Sequence, residues 1–140
     1  MSIPDTNPII RKYLTTASPL TNPLMALVGA RIYCPRLPEN AVLPAVGFFT
    51  RGGQSTPYIP DFASPSMQFD CWASNLIIAR QVYRTLYDAL QGIQQVPVVI
   101  GAITYYIKSA IEEVHGQDLV DTEIQGYFRI LTFFQIIVSE

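Results

Sequence analysis

A chain of 140 residues is the size of one domain and is long enough to bury a core without disulfide or metal staples. It is 49% hydrophobic but only 14% charged, against roughly 25% for an ordinary soluble domain, and its net charge is −2 with Lys and Arg scattered. That balance speaks against tight nucleic-acid binding; no apolar run nears the roughly 18–20 residues of a membrane span, and MSIPDTNPIIRKY lacks the regions of a secretory signal. The apolar excess points to subunit interfaces, with a sparsely charged monomer as the bland alternative.

Thr6 or Asn7 before Pro8 predicts a capped short helix, with Ile10, Tyr13, Leu14 and Ala17 on its packed face, Arg11 and Lys12 in water, and Pro19 ending it. The signal repeats with Thr21 or Asn22, Pro23, the buried candidates Leu24, Leu27 and Val28, and Gly29 as the stop. Arg31-Ile32-Tyr33 is a short extended piece. Six prolines between Pro35 and Pro65 then exclude a helix and leave strand in fragments, of which Ala45 to Arg51 is the best. Gly52 to Ser66 reads as a long exposed loop; its paired glycines lack the lysine and the following helix of a phosphate-binding loop.

Met67, Phe69 and Cys71 alternate with Gln68 and Asp70 as in a strand buried on one face. Trp72, Leu76, Ala79, Tyr83, Leu86 and Leu90 then form the stripe of the longest helix, with Gly92 as its stop. Two runs, about Ile100 to Val114 and Gln125 to Val138, joined by the polar HGQDLVDTE segment, predict a long β-hairpin. Ile103, Tyr105, Ile107 and Ile111 form the covered side of the first run. In the second, Phe128, Ile130, Phe134, Ile136 and Val138 share one face, yet Leu131, Phe133 and Ile137 make the other apolar as well. A strand apolar on both faces needs two covers, so these three are the candidate subunit interface. With no repeat and no linker, residues 1–140 read as a single α+β domain. It is an antiparallel sheet with a long C-terminal hairpin, and the main helix and the short N-terminal helices pack on one side.

The inventory for chemistry is thin. His115 is the one histidine, flanked by Val114 and Gly116 with no nucleophile or orienting partner nearby in sequence, and reads as a solvated turn residue. Cys34 and Cys71 form no metal-type spacing and read as reduced core residues of an intracellular product. Trp72 and Tyr83 read as packing, since no basic groove accompanies them. No catalytic, cofactor or metal site is expected. Glu112, Glu113, Asp118, Asp121 and Glu123 gather at the hairpin turn with no Lys or Arg between Lys108 and Arg129. The group reads first as a solvated loop, and next as a surface that repels a confined polyanion. A calcium loop would need a DxDxDG spacing that is absent.

LMALVGARIYCPRLPENAVLPAVGF, then SMQFDCWASNLIIARQVYRTLYDAL, then DLVDTEIQGYFRILTFFQIIV after a polar turn, together resemble the tail-completion or tail-terminator family of long-tailed bacteriophages. The resemblance spans nearly the whole chain. Its most telling parts are LVGARIY leading to a proline-flanked strand, and Asp70-Cys71-Trp72-Ala73 running into a helix. It implies a structural virion protein, made in the host cytoplasm, that forms a ring, typically of six copies. The ring would cap the tail tube protein and meet the head–tail connector protein, with DNA passing through its lumen without tight binding; the resemblance implies no cofactor and no reaction. On this reading the five acidic residues face the lumen. Another neck protein (a stopper or adaptor) and a small-molecule-binding α+β domain are the alternatives.

Overall fold

The computed structural model describes residues 4–38, 40–54, 62–120 and 127–140. Helix α1 (Thr6–Thr15) buries Ile10, Tyr13 and Leu14 of the predicted face, and Ile9 beside them. Its N-cap is Asp5, without a side-chain cap, and Thr6 lies inside the helix, while Ala17 is exposed beyond its end. Helix α2 (Asn22–Val28) follows the proline signal, and Gly29 stops it at φ 60°, a conformation that suits a residue without a Cβ. Thr21 stands at the N-cap of α2 but does not cap it with its side chain; its hydroxyl donates instead to the Thr16 carbonyl at 2.6 Å.

Six strands were found among the described residues: β1 (Ile32–Tyr33), β2 (Ala45–Gln54), β3 (Phe62–Ala73), β4 (Gln94–Ile100), β5 (Ile103–Val120) and β6 (Phe128–Ser139). They form one sheet in the order β1-β2-β3-β6-β5-β4. Every neighbouring pair is antiparallel except β1–β2, so the sheet is mixed rather than wholly antiparallel. The longest helix, α3 (Leu76–Leu90), starts later than the apolar stripe suggested. Trp72 and Ala73 finish β3, and the Asn75 side chain caps the helix by accepting from the amides of Ile77 and Ile78 at 2.7 and 3.2 Å.

All three helices lie on one side, as expected. α3 packs on β3, β5 and β6, while α1 touches β1 and β2 at one margin and β4 at the other. Five strand spacings of about 4.8 Å would hold those margins roughly 24 Å apart in a flat sheet, about twice a helix diameter. The sheet therefore curls around the helices. Between them lies a core centred on three fully buried rings: Phe48 stacks on Phe69 at 5.6 Å, and Phe69 meets Phe134 edge-on at 5.7 Å. Cys71 is buried in this core, but Cys34 is exposed, contrary to expectation.

The C-terminal hairpin exists but differs in extent. β5 runs on through His115 to Val120, so the described part of the segment read as a turn is strand, its last three residues lying outside the described set, and the chain reverses twice because β4 precedes β5 across a tight turn with Gly101 at φ 62°. Register shifts at Ile107/Ser109, Glu112/Val114 and Val114/Gln117 break the strict alternation of β5. Ile107 and Ala110 are both buried, whereas Ile103 and Ile111 are 41% and 55% exposed, so the four apolar residues of this run do not share one covered side. The expected Gly52–Ser66 loop is shorter too: Gly53 pairs with Pro65 and Gln54 with Ser64, and residues 55–61 lie outside the described set.

Candidate functional site: the outer face of the sheet

Along β6, Ile130, Thr132, Phe134, Ile136 and Val138 are fully buried under the helices, which places Leu131, Phe133 and Ile137 on the opposite, outer face. All three are half-buried. The Arg51 guanidinium lies 4.1 Å above the Phe133 ring, and no described helix crosses this face. The apolar surface continues towards the β4 margin through Tyr106 and Val99, which alternate with the buried Ile107 and Val98, and through Ile111.

The other end of the outer face has a cover. Residues 34–38 and 40–44 fold back over β2 and β3, passing so close that a Cβ on Gly47 would stand 3.3 Å from the Leu37 amide nitrogen. Between these residues and the sheet is a cleft of about 520 Å³ whose lining includes Arg36, Phe49, Asp70, Trp72, Tyr127 and Arg129. Asp70 lies at its base, 9% exposed. Its carboxylate has Gln68 Nε2 at 3.4 and 3.5 Å and Arg129 Nη1 at 3.8 Å, and the Arg129 guanidinium stands 5.3 Å over the Trp72 ring. Burial pushes the Asp70 carboxyl above the usual carboxylate value, with Arg129 and Gln68 opposing. Trp72 is thus half-buried on the outer face, where it meets Tyr127 edge-on, and is not a core residue.

The acidic residues are dispersed. Glu112 turns inward: its side chain is 10% exposed, and Oε2 accepts from the Tyr83 hydroxyl at 2.6 Å and from Thr132 Oγ1 at 2.7 Å. Glu113 is exposed and accepts from Ser66 Oγ at 2.6 Å, whereas Asp118 pairs with Arg80 of α3 at 2.6 Å. These three lie on strand β5 rather than on a turn, and Asp121 and Glu123 fall outside the described residues. His115 is 77% exposed on the same strand, with Nδ1 3.5 Å from Glu112 and 3.3 Å from the Tyr83 hydroxyl. Burial and the Glu112 carboxylate push Tyr83 up to about 12, so at neutral pH it stays a proton donor. The Gly116 amide donates to the same hydroxyl, and a Cβ on Gly116 would stand 2.7 Å from the Tyr83 ring. This network clamps the bulged part of β5 onto α3. Among the described residues, no serine, cysteine or lysine joins it to supply a nucleophile. Among the described residues, no three His, Cys, Asp or Glu side chains gather in a metal-holding group.

Alternation along β6 put Leu131, Phe133 and Ile137 on the face where they stand, but it assigned Asp70 to the wet side of its strand, where the carboxylate is in fact buried. The one available signal was the proline-rich stretch after Tyr33, long enough to return over the sheet.

No protein-family model matches the chain, and no curated protein matches it. A similar fold occurs among solved structures, in a chain of the virion of a native gene transfer agent particle. The likeness covers 95% of this chain and 93% of that chain, with a TM-score of 0.61 and 15% identity. At that identity it is a likeness of architecture: this chain shares, over nearly its whole length, the fold of a protein found in an assembled virion.

Proposed function

We propose that the chain is a structural subunit of a tailed phage-type particle, and specifically a tail terminator: a ring, of about six copies by the family resemblance, that caps the tail tube and presents a surface to the head–tail connector. The observation that carries this reading is the full-length likeness in fold to a virion chain. It agrees with the family resemblance of the sequence, which rests on different grounds. In this role the chain needs neither cofactor nor reaction. Leu131, Phe133 and Ile137 serve the contact between copies, because their strand is already covered on its other face. The hairpin end borders the lumen, where Asp118, Asp121 and Glu123 from each copy face passing DNA; Glu112 and Glu113 stand with them in sequence, but the Glu112 carboxylate is held inside the fold and Glu113 lies further along β5 beside Ser66. Like charge keeps contact with phosphates weak, and screening confines the effect to about 8 Å at physiological salt, so these carboxylates must lie close to the bore.

Native mass spectrometry of the purified chain, together with an electron-microscopic image of particles carrying a labelled copy, tests the assignment. A closed ring at the head-proximal end of the tail is expected. A strictly monomeric chain absent from particles would refute the structural role, and a position on the head side would identify a different neck protein. The hairpin end on the outer circumference of the ring would remove the lumen assignment alone.

A further inference from the structure

The outer-face cleft holds a feature that ring formation does not explain. Its most deeply buried ionisable group is a carboxylate, and among the described residues the donors facing Asp70 stand at the long limit of hydrogen bonding: 3.4 and 3.5 Å from Gln68, and 3.8 Å from Arg129. Buried carboxylates ordinarily accept short, charge-assisted bonds of about 2.7–2.9 Å. Around it stand three aromatic side chains, Phe49, Trp72 and Tyr127, in a space large enough for a side chain to enter.

Two kinds of occupant compete, because Arg36 and Arg129 also line the cleft. The state of each charge decides between them. Arg36 is exposed and the Arg129 side chain is 35% exposed, so both guanidiniums are hydrated and gain little from an incoming anion. Asp70 has already given up its water and has not regained equivalent bonds. The unmet demand is therefore for a cation. Trp72 shows that the aromatic wall accepts one, since a guanidinium of the chain itself already lies over its ring.

We infer that the cleft between Arg36, Leu37, Pro38 and Asn40 and the outer face of β2, β3 and β6 is a receptor for an arginine or lysine side chain of an adjoining protein, with Asp70 as its anion and the aromatic side chains as its walls. Arg129 is the internal competitor for the same carboxylate. The inference rests on the reading of the chain as an assembly subunit only for the source of the basic side chain; the receptor itself is a property of the single chain.

Trp72 is the only tryptophan of the protein, so its fluorescence reports on the cleft directly. The full chain is titrated with arginine blocked at both ends (N-acetyl-arginine methylamide), with blocked glutamate as the anionic counterpart, and with sodium chloride to match ionic strength. Blocked arginine should give a saturable change in the millimolar range, since one side chain alone offers few contacts. Asp70→Asn should weaken it about tenfold or more, with the far-ultraviolet circular dichroism unchanged. Arg129→Gln should tighten it severalfold by removing the competitor. A flat titration to about 100 mM, or saturation by blocked glutamate instead, overturns the inference, as does weaker arginine binding in Arg129→Gln. Incorporation of the Asp70→Asn subunit into particles should fall; normal incorporation of a variant that no longer binds arginine overturns the assignment to a partner. A flat titration in a chain that still forms rings would remove the receptor and leave the proposed function standing, and binding by a chain that forms no ring would do the reverse.

Discussion

The two faces of β6 are built from the same kind of residue and finished differently. On the inner face, Phe134 is fully enclosed by Phe69, Tyr87 and their neighbours. One position away on the outer face, Phe133 is half-buried and has a guanidinium above it in place of a packed layer. Apolar content alone therefore does not tell core from contact surface. What separates them is whether the chain returns to cover the strand, and among the described residues it returns with three helices on one side and with residues 34–38 and 40–44 on the other.

The sharpest test of that contrast is Phe134→Ala. Removing a fully buried ring should cost about 3–5 kcal/mol in chemical denaturation, and a loss near zero would mean that the inner face is not the core. Tyr83→Phe comes next: it takes the 2.6 Å hydrogen bond from Glu112, whose side chain is 10% exposed, and should cost about 1–3 kcal/mol. An unchanged unfolding midpoint would show that the clamp on β5 contributes nothing. Phe133→Lys should alter stability by less than about 1 kcal/mol while lowering the sedimentation coefficient of any assembly. Large destabilisation of the isolated subunit would place Phe133 with the core after all.

The smallest effect concerns the covered end of the outer face. Burial raises the Asp70 carboxyl in the folded state above its unfolded value, so folding favours the protonated form. Its contribution is fully present below the ordinary carboxylate range and is lost as pH rises through the raised folded value. Asp70→Asn, which resembles the protonated acid, should therefore be slightly more stable than the parent chain at about pH 7, with the gain fading towards about pH 4. Destabilisation at neutral pH would mean that the contact with Arg129 outweighs the cost of burial.

The parts of the fold legible in the sequence were those governed by one face and one period. Ala79, Tyr83, Leu86 and Leu90 mark the buried side of α3 because a helix resting on a sheet hides a single stripe. The β5–β6 pairing was legible from two long apolar runs. β4 was not, since Gln94, Gln95 and Pro97 resemble a linker; an edge strand needs only one hydrogen-bonded neighbour and tolerates both polar residues and proline. The faces of β5 were misassigned because its register shifts belong to the backbone and leave no residue-type signature. His115 to Val120 passed for a turn because solvent-exposed strand carries the same polar residues. Of the candidate site, Leu131, Phe133 and Ile137 were legible as a second apolar face, but Asp70 was not. Its burial depends on residues about thirty positions earlier folding back across the sheet.

The bridging position of α1 has a consequence in time. It rests on β1 and β2 but also on β4, which is synthesised about eighty residues later, an interval on the order of ten seconds at ordinary translation rates. Throughout that interval Ile9, Ile10, Tyr13 and Leu14 lack one wall of their final environment. This early helix is thus among the last elements to be fully seated, and its docking is the step that draws the two margins of the sheet together. Folding of this subunit should accordingly be slow for its size, with curvature acquired at the end rather than strand by strand.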